Sequence, residues 1–230
     1  MSGMVSSLRP RQLVLALDHP VSFAREDFLA GPSNRAALSL VDSWPDWPNR
    51  VMALVGPEGS GKSHLAAIWA EAAGARILSG KLLGESDLPA AFVTGALVVE
   101  DLEPANLDAR ALFHLLNLAR EQEAYVLITA RAAPAGFTVS IRDLASRLRS
   151  VPAVALTAPD DTLLRSLMVK LAADRQLALD EALVNYLANR IERTFAAARA
   201  AVARLDEEAM RQHRPVTRAL AAELFRESPV

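Results

Sequence analysis

Eight residues in the first third of the chain, Gly56–Ser63, most constrain what it can fold into. They read Gly-Pro-Glu-Gly-Ser-Gly-Lys-Ser and fit the pattern G-x-x-x-x-G-K-[ST]. The apolar run Val51–Val55 before them predicts a short buried strand, and the residues from Ser63 onward predict a helix. A strand, a glycine-rich loop and a helix in this order form the setting of a phosphate-binding P-loop. We favour this interpretation over a glycine-rich turn that fits the pattern by chance.

The residue types of this loop suit phosphate chemistry. Glycines let the backbone approach the phosphates, and successive N–H groups at a helix amino terminus attract anions. Lys62 is expected to reach the β- and γ-phosphates, and the Ser63 hydroxyl is expected to bind Mg²⁺. The ring of His64 is expected on the helix surface, with its backbone N–H toward phosphate. The predicted nucleotide-binding residues of the loop are Gly56, Pro57, Glu58, Gly59, Ser60, Gly61, Lys62, Ser63 and His64.

Composition excludes several other classes of protein. The chain has 230 residues, a net charge of −2 and no cysteine, which rules out disulfides and thiolate metal sites. No long basic run is present, so binding of nucleic acid by the whole surface is not expected. The apolar run at 13–17 is too short for a signal peptide, and no 18-residue apolar span occurs. These features predict a cytoplasmic protein without membrane contact.

Alternating strand and helix patterns predict an α/β domain built on a parallel sheet flanked by helices. Further strands are expected at Ala75–Leu78, Ala96–Asp101 and Tyr125–Thr129, with Val154–Leu156 as a candidate last strand. Helices are predicted at Asp108–Glu121 and Ile141–Arg149. After Pro159 the pattern is helical throughout, and Asp160 and Asp180 are predicted N-caps. The predicted division is an N-terminal segment at 1–22, an αβ domain at 23–158 and a small helical lid at 159–230.

Two further motifs give the P-loop a narrower context. Phe28–Asn34 fits F-x-x-G-x-S-N, and Asp143–Leu148 reads Asp-Leu-Ala-Ser-Arg-Leu. With the P-loop and the helical tail, they resemble the AAA+ ATPases and, more closely, the nucleotide-binding domain of the DnaA family. This resemblance implies that Phe28 and Asn34 lie beside the adenine of ADP or ATP. It also implies that Glu100 binds Mg²⁺ with Ser63, that Asp101 is catalytic, and that Arg147 is an arginine finger acting on a neighbouring molecule.

The leading peptide at residues 12–17 carries Gln12 and three leucines, Leu13, Leu15 and Leu17. On pattern alone, this segment is a short strand or strap packed on its own domain. DnaA continues past the lid into a helix-turn-helix domain, for which no room is expected before Val230. A DnaA-like module without that domain and led by such a peptide resembles the Hda family of regulatory inactivators of DnaA. That resemblance implies that the peptide binds the sliding clamp of the replicative polymerase.

Three positions depart from the DnaA pattern. Glu100 replaces the usual aspartate, Arg131 stands where DnaA tends to have aspartate, and Ala196 occupies the place of the sensor-2 arginine. Arg193 and Arg199 are the nearest replacements for that arginine. These departures favour a regulator that acts on DnaA and has weak ATPase activity of its own. This interpretation allows self-association and expects no sequence-specific DNA binding. The alternatives are a helicase loader or DNA-associated ATPase working on its own nucleotide, and a P-loop kinase of small metabolites.

Overall fold

A computed structural model describes residues 23–85 and 87–225 of the chain. The predicted leading peptide, with Gln12, Leu13, Leu15 and Leu17, lies outside the described residues. The centre of the fold is a sheet of five strands in the order β2-β3-β4-β1-β5, and every pair in it is parallel. The strands are β1 Val51–Val55, β2 Arg76–Ser79, β3 Ala96–Leu102, β4 Tyr125–Ala130 and β5 Ala153–Ala155. The predicted α/β class is confirmed, and the candidate last strand is present.

Helices cover both faces of this sheet. They are α1 Arg35–Asp42, α2 Lys62–Ala73, α3 Leu88–Ala91, α4 Ala109–Glu121 and α5 Arg142–Arg149. Short 3₁₀ turns occur at Arg25–Asp27, Gly80–Glu85, Pro104–Asn106 and Pro134–Gly136. The four-residue α3 was not predicted from the sequence.

Side chains of the central strands alternate between two apolar clusters, because successive residues of a strand point to opposite faces. Leu97 and Val99 of β3 pack in the cluster that contains Leu112 of α4 and Leu144 of α5. Val98, between them, packs in the other cluster with residues of α1 and α2. Both faces are therefore buried, which explains why these strands read as continuous apolar runs.

Four further helices follow the last strand: α6 Asp161–Asp174, α7 Glu181–Ala188, α8 Phe195–Gln212 and α9 Arg218–Leu224. The predicted caps are confirmed, since Asp160 accepts from the backbone N–H of Leu163 at 2.8 Å and Asp180 from that of Leu183 at 2.7 Å. Residues of these helices share an apolar cluster of their own. The predicted domain boundary near residue 158 stays a prediction.

The turn before α1 is built around Asn34, a residue type that favours helix N-caps. Asn34 occupies the N-cap position, but its side chain makes no capping hydrogen bond. Instead its Oδ1 accepts from the backbone N–H of Gly31 at 2.8 Å, and its Nδ2 donates to the carbonyl of Leu29 at 3.0 Å. Asn34 is buried, and it fixes the loop between Leu29 and Gly31 rather than the end of the helix.

Candidate functional site

The P-loop lies at the carboxyl edge of the sheet. It leaves β1 at Val55, and the N–H of Gly56 donates to the carbonyl of Ala130 at the end of β4, 3.1 Å away. Gly59 and Gly61 have φ values of 70° and 97°, in the left-handed region that favours glycine. A Cβ on Gly59 would lie only 2.8 Å from Cβ of Thr194, so the loop also packs tightly on the start of α8. Glycine is needed here both for the turn and for this contact.

Lys62 is folded under the loop that precedes it. Its side chain is buried, at 6% exposure, and Nζ donates to the carbonyls of Gly56 at 2.9 Å and Pro57 at 2.7 Å. Burial lowers the pKa of Lys62, while the charge of Asp101 opposes this shift and that of Arg131 adds to it. The loop carbonyls thus hold a cation at the point where the sequence predicts the phosphates.

Ser60 and Ser63 differ in their surroundings. Ser60 is buried, and its Oγ has no hydrogen-bond partner among the described residues. Ser63 is exposed and lines the cavity that lies beside the loop. A buried hydroxyl without a partner costs free energy, so an acceptor that reaches Ser60 would remove that cost. This feature fits a loop shaped for an oxygen-rich ligand.

The acidic end of β3 is irregular. The pairing of β3 with β4 shifts between Val99 and Leu102, and Asp101 has a φ of 52°. The backbone N–H of Asp101 donates to Oγ1 of Thr129 on β4 at 2.9 Å, which supports this bulge. Glu100 is half-buried and Asp101 is exposed. The described residues contain no group of three or more metal-binding side chains, so magnesium binding by Ser63 and Glu100 stays a prediction.

Arg131 joins three segments around the phosphate end of the site. It follows β4 directly and pairs with Glu58 of the P-loop at 2.8 Å. Its Nε also lies 3.5 Å from Glu103, which follows β3. The side chains of Arg131 and Glu58 are largely exposed, and an exposed ion pair contributes little to stability, about 0–1 kcal/mol. Arg131 can therefore leave Glu58 at small cost when another anion approaches.

A cavity of about 240 Å³ extends from the P-loop toward α6 and α8. Phe28 lines it, whereas Asn34 does not, because its side chain makes the loop contacts described above. The prediction that these two residues lie beside an adenine stays a prediction. Of the two arginines proposed in place of Ala196, Arg199 lines the cavity, and burial lowers its pKa. Arg193 lies away from the cavity in an exposed pair with Asp161 at 3.0 Å.

Phe195 is one of the lining residues that were not predicted from the sequence. Its ring lies within 3.6 Å of the position a Cβ on Gly61 would take, as does the ring of Phe28. Its backbone N–H donates to the carbonyl of Gly59 at 3.2 Å. A large aromatic residue directly after the N-cap Thr194 was the available sequence signal.

The prediction that the His64 ring lies on the helix surface is wrong. The ring is half-buried, and its Nε2 lies 3.1 Å from the carbonyl of Ala24, to which it donates. Its edge-on neighbours are Phe23 and Phe28, with ring centroids at 5.3 and 5.2 Å. His64 thereby ties the first described segment of the chain to the helix that follows the P-loop. Ala24 and His64 are 40 residues apart in the sequence, and the local pattern of apolar residues around His64 does not indicate a contact at that distance.

Arg147 lies at the opposite edge of the sheet from the P-loop. Its guanidinium carbon is 5.1 Å from the ring centroid of Phe113 on α4. It lines a second cavity together with Val51, the first residue of β1, whereas the P-loop follows the last residue of that strand. The five residues of β1 therefore separate Arg147 from the phosphate site of its own chain.

Comparisons with known proteins identify the fold. No model of a protein family matches the chain, and no curated protein matches it. Domain III of the replication initiation protein DnaA from Thermotoga maritima is similar, with a TM-score of 0.71 and 18% identity over 89% of this chain and 96% of that one. The Thermotoga maritima RuvB Holliday junction branch migration motor gives 0.70 and 18% over 90% of this chain and 74% of that one.

AMPPCP-bound DnaA from Aquifex aeolicus is similar too, with a TM-score of 0.65 and 17% identity over 84% of this chain and 68% of that one. The chain therefore has the fold of AAA+ P-loop NTPase domains, as represented by DnaA and RuvB. Among the described residues, no helix is long and apolar enough to cross a membrane.

The environment of His64 predicts a pH dependence. Burial lowers its pKa, and the nearby charges of Arg199 and Lys170 act in the same direction, while the Ala24 carbonyl and Asp27 oppose it. The unfolded chain then binds a proton more readily than the folded one, so His64 contributes stability that is present above about pH 6.5 and lost as the pH falls below it.

We expect the free energy of unfolding to decrease less between pH 7.5 and pH 5.5 in His64→Gln than in the parent protein. Denaturant unfolding of both proteins at the two pH values measures this difference. The conservative variant keeps a donor for the Ala24 carbonyl but cannot be protonated. Equal pH dependence in both proteins would show that the His64 pKa is not lowered.

Proposed function

We propose that this chain is an adenine-nucleotide-binding regulator of DNA replication that, bound to the sliding clamp, stimulates ATP hydrolysis on DnaA. The single observation that carries the regulatory part is the position of Arg147, at the sheet edge opposite its own P-loop. An arginine there is available to a nucleotide held by another molecule. The proposal gains support from the likeness of this fold to DnaA domain III.

Adenine-nucleotide binding rests on the P-loop and the cavity beside it. The loop offers left-handed glycines, the buried ammonium of Lys62 and the unpartnered hydroxyl of Ser60. Phe28 and Phe195 line the cavity next to the loop, where aromatic side chains can pack on a base or ribose. Neighbours of the same fold include DnaA bound to AMPPCP. Whether ADP or ATP is the working ligand, the same groups would bind the phosphates.

The site offers fewer protein ligands for a magnesium ion than for the nucleotide. Ser63 is exposed beside the cavity, and Glu100 is half-buried at the end of β3, so these two are the proposed protein ligands. A magnesium ion usually keeps several waters and takes only one or two protein oxygens besides the phosphates, which two such residues would satisfy. Asp101 is the proposed acid or base of a weak intrinsic ATPase activity.

Replacing Lys62 tests nucleotide binding. Lys62→Ala removes the buried cation at the phosphates, and a hydrogen bond to a charged group is worth about 1.5–3 kcal/mol, so we expect the Kd for ADP to rise about 10- to 150-fold. Titration calorimetry measures this change. Lys81→Ala, an exposed lysine of the 3₁₀ turn after β2, is the control and should bind ADP like the parent. Parental affinity in Lys62→Ala would remove Lys62 from the site.

In the proposed regulatory function, Arg147 acts on a nucleotide that is bound by the partner. A guanidinium brought to a phosphoryl group in transfer stabilises the charge that develops there, and such a finger contributes about 10³–10⁵ in rate. In this chain the Arg147 guanidinium rests on the Phe113 ring, and no ion pair within the described residues engages it. It is therefore held in one direction without being neutralised.

Arg147→Ala should lose most of the stimulation of ATP hydrolysis on DnaA, while its ADP affinity stays close to that of the parent. The assay mixes ATP-bound DnaA, clamp loaded on DNA and this protein, and follows ADP formation. Arg149→Ala, two residues further on the same helix and exposed, is the control and should stimulate fully. Full stimulation by Arg147→Ala would exclude this residue from the mechanism.

Clamp binding is proposed for the leading peptide on the basis of its sequence. Small peptide interfaces depend on a few anchors, so Gln12→Ala and Leu15→Ala should each lose about 1–3 kcal/mol of clamp affinity. Ser7→Ala, which lies before the segment at residues 12–17, is the control and should bind the clamp like the parent. Surface plasmon resonance on immobilised clamp measures the affinities. If both test variants bind the clamp like the parent, the proposal is contradicted. The interpretation of the segment as a strap packed on its own domain is then favoured.

The alternative function is a helicase loader or DNA-associated ATPase that hydrolyses its own nucleotide. The likeness to the RuvB motor is the observation that favours it. Rapid ATP hydrolysis by this protein alone, stimulated by DNA and abolished in Asp101→Asn, would support this alternative over the regulator.

A further inference from the structure

The cavity that Arg147 lines, about 470 Å³ in volume, lies at the amino-terminal edge of the sheet. It is bounded by the start of β1, the last turns of α4 and the end of α5. Its floor is apolar and consists of Val51, Leu116, Ala119, Ala124 and Val151. We call this cavity the arginine cleft, because three arginines line it: Arg50, Arg120 and Arg147.

The arginine cleft is positively charged in a chain whose net charge is −2. Glu123 is the only carboxylate among its lining residues, and it is 3.2 Å from the guanidinium of Arg50. Neither Arg120 nor Arg147 forms an ion pair within the described part of the chain. Two positive charges therefore remain without a counter-charge beside an apolar floor.

Two of the three guanidiniums are held in place by aromatic rings. The guanidinium carbon of Arg147 is 5.1 Å from the ring centroid of Phe113, and that of Arg50 is 5.0 Å from the ring centroid of Tyr125. The Arg50 guanidinium already donates to the backbone carbonyl and the carboxylate of Glu123. The contact with Phe113, by contrast, leaves the N–H groups of Arg147 free to bind an anion. Since less side-chain freedom is lost on binding, Arg147 is suited to an anionic partner.

We propose that the arginine cleft is the docking surface for the ATP-bound partner, and that it receives a segment of that partner in which an apolar side chain stands next to carboxylates. This inference rests on the function proposed above and adds Arg120 to it as a recognition residue. An inorganic anion would leave the apolar floor in water, and an apolar ligand would leave the two charges uncompensated. A segment with both features satisfies the floor and the rim together.

The position of Arg147 on the wall of the cleft connects docking to the partner's nucleotide. A segment bound over Leu116, with its carboxylates at Arg120, would hold the partner's surface against α5 and leave the Arg147 guanidinium for the partner's nucleotide. Arg120 then contributes to affinity, whereas Arg147 also contributes to the rate once the complex has formed. Replacing Arg120 should therefore change the half-saturating concentration, and replacing Arg147 should change the rate at saturation.

The test titrates this protein into the assay of ATP hydrolysis on DnaA with loaded clamp. Arg120→Glu places a carboxylate against the partner's carboxylates, and like-charge contacts cost several kcal/mol, so we expect its half-saturating concentration to rise about tenfold or more. Its rate at saturation should stay within about twofold of the parent, whereas Arg147→Ala lowers that rate. Arg110→Glu, on the exposed first turn of the same helix and outside the cleft, is the matched control and should behave like the parent.

A second measurement detects docking without hydrolysis. The chain has no cysteine, so Ser150→Cys, at an exposed position on the rim of the cleft, can carry one environment-sensitive dye. ATP-bound DnaA should change the dye emission, and Arg120→Glu in the labelled protein should suppress the change. A dye on Arg110→Cys should not respond. Thermal unfolding of each variant checks that it is folded.

The outcomes separate this inference from the proposed function. If the parent protein stimulates hydrolysis and Arg120→Glu has the same half-saturating concentration, the inference is overturned and the function stands. If the parent does not stimulate but the rim dye reports a binding that depends on Arg120, the docking surface stands and the proposed activity fails. If neither stimulation nor binding is found, both are overturned.

Discussion

The pairing of β1 with its two neighbours determines where every group of the candidate nucleotide site lies. At the carboxyl end of β1, the N–H of Gly56 donates to Ala130 of β4, and the carbonyl of Val55 accepts from Leu156 beyond β5 at 2.7 Å. A Cβ on Gly56 would lie 2.4 Å from the carbonyl oxygen of Leu156, so the two backbones touch at this point. The P-loop is thus hydrogen-bonded or packed against the chain on both sides of β1, and this attachment fixes the position of Lys62.

The same parallel sheet also separates the two proposed sites. Parallel strands gather their carboxyl ends at one edge, where Lys62, Asp101 and Arg131 meet. The amino-terminal edge receives the loops that return to the strands, and with them come Arg50 and the end of α5. The proposed nucleotide site and the proposed partner site therefore lie at different edges of the sheet. An arginine finger requires this separation. An arginine close to the phosphates bound by its own chain would interact with them and could not act on the phosphates bound by a neighbouring molecule.

Sequence reasoning succeeded where the signal is local. The loop Gly56–Ser63, the buried strands and the caps Asp160 and Asp180 depend on residues within a few positions of one another, and the structure has strands and helices at those places. Contacts across the chain gave no such signal. The hydrogen bond of His64 to Ala24 spans 40 positions, and the meeting of Arg50 with Arg120 and Arg147 requires three separate elements to pack. Asn34 shows that a local signal can also mislead. Asparagine is typical of helix N-caps, but the Asn34 side chain makes its hydrogen bonds in the preceding turn, with Gly31 and Leu29.

The helices α6–α9 meet the P-loop through backbone and ring contacts that a ligand would extend. The carbonyl of Gly59 accepts from the N–H of Phe195, and the rings of Phe28 and Phe195 both face Gly61. The cavity between them is lined by both the loop and α8, so a nucleotide bound there would contact both and add its binding free energy to their association. Such a ligand would stabilise the arrangement of the helices against the sheet even if it were never hydrolysed. Weak turnover and tight binding are then compatible in one site, because the bound ligand would act on the structure of this chain while chemistry takes place on the partner.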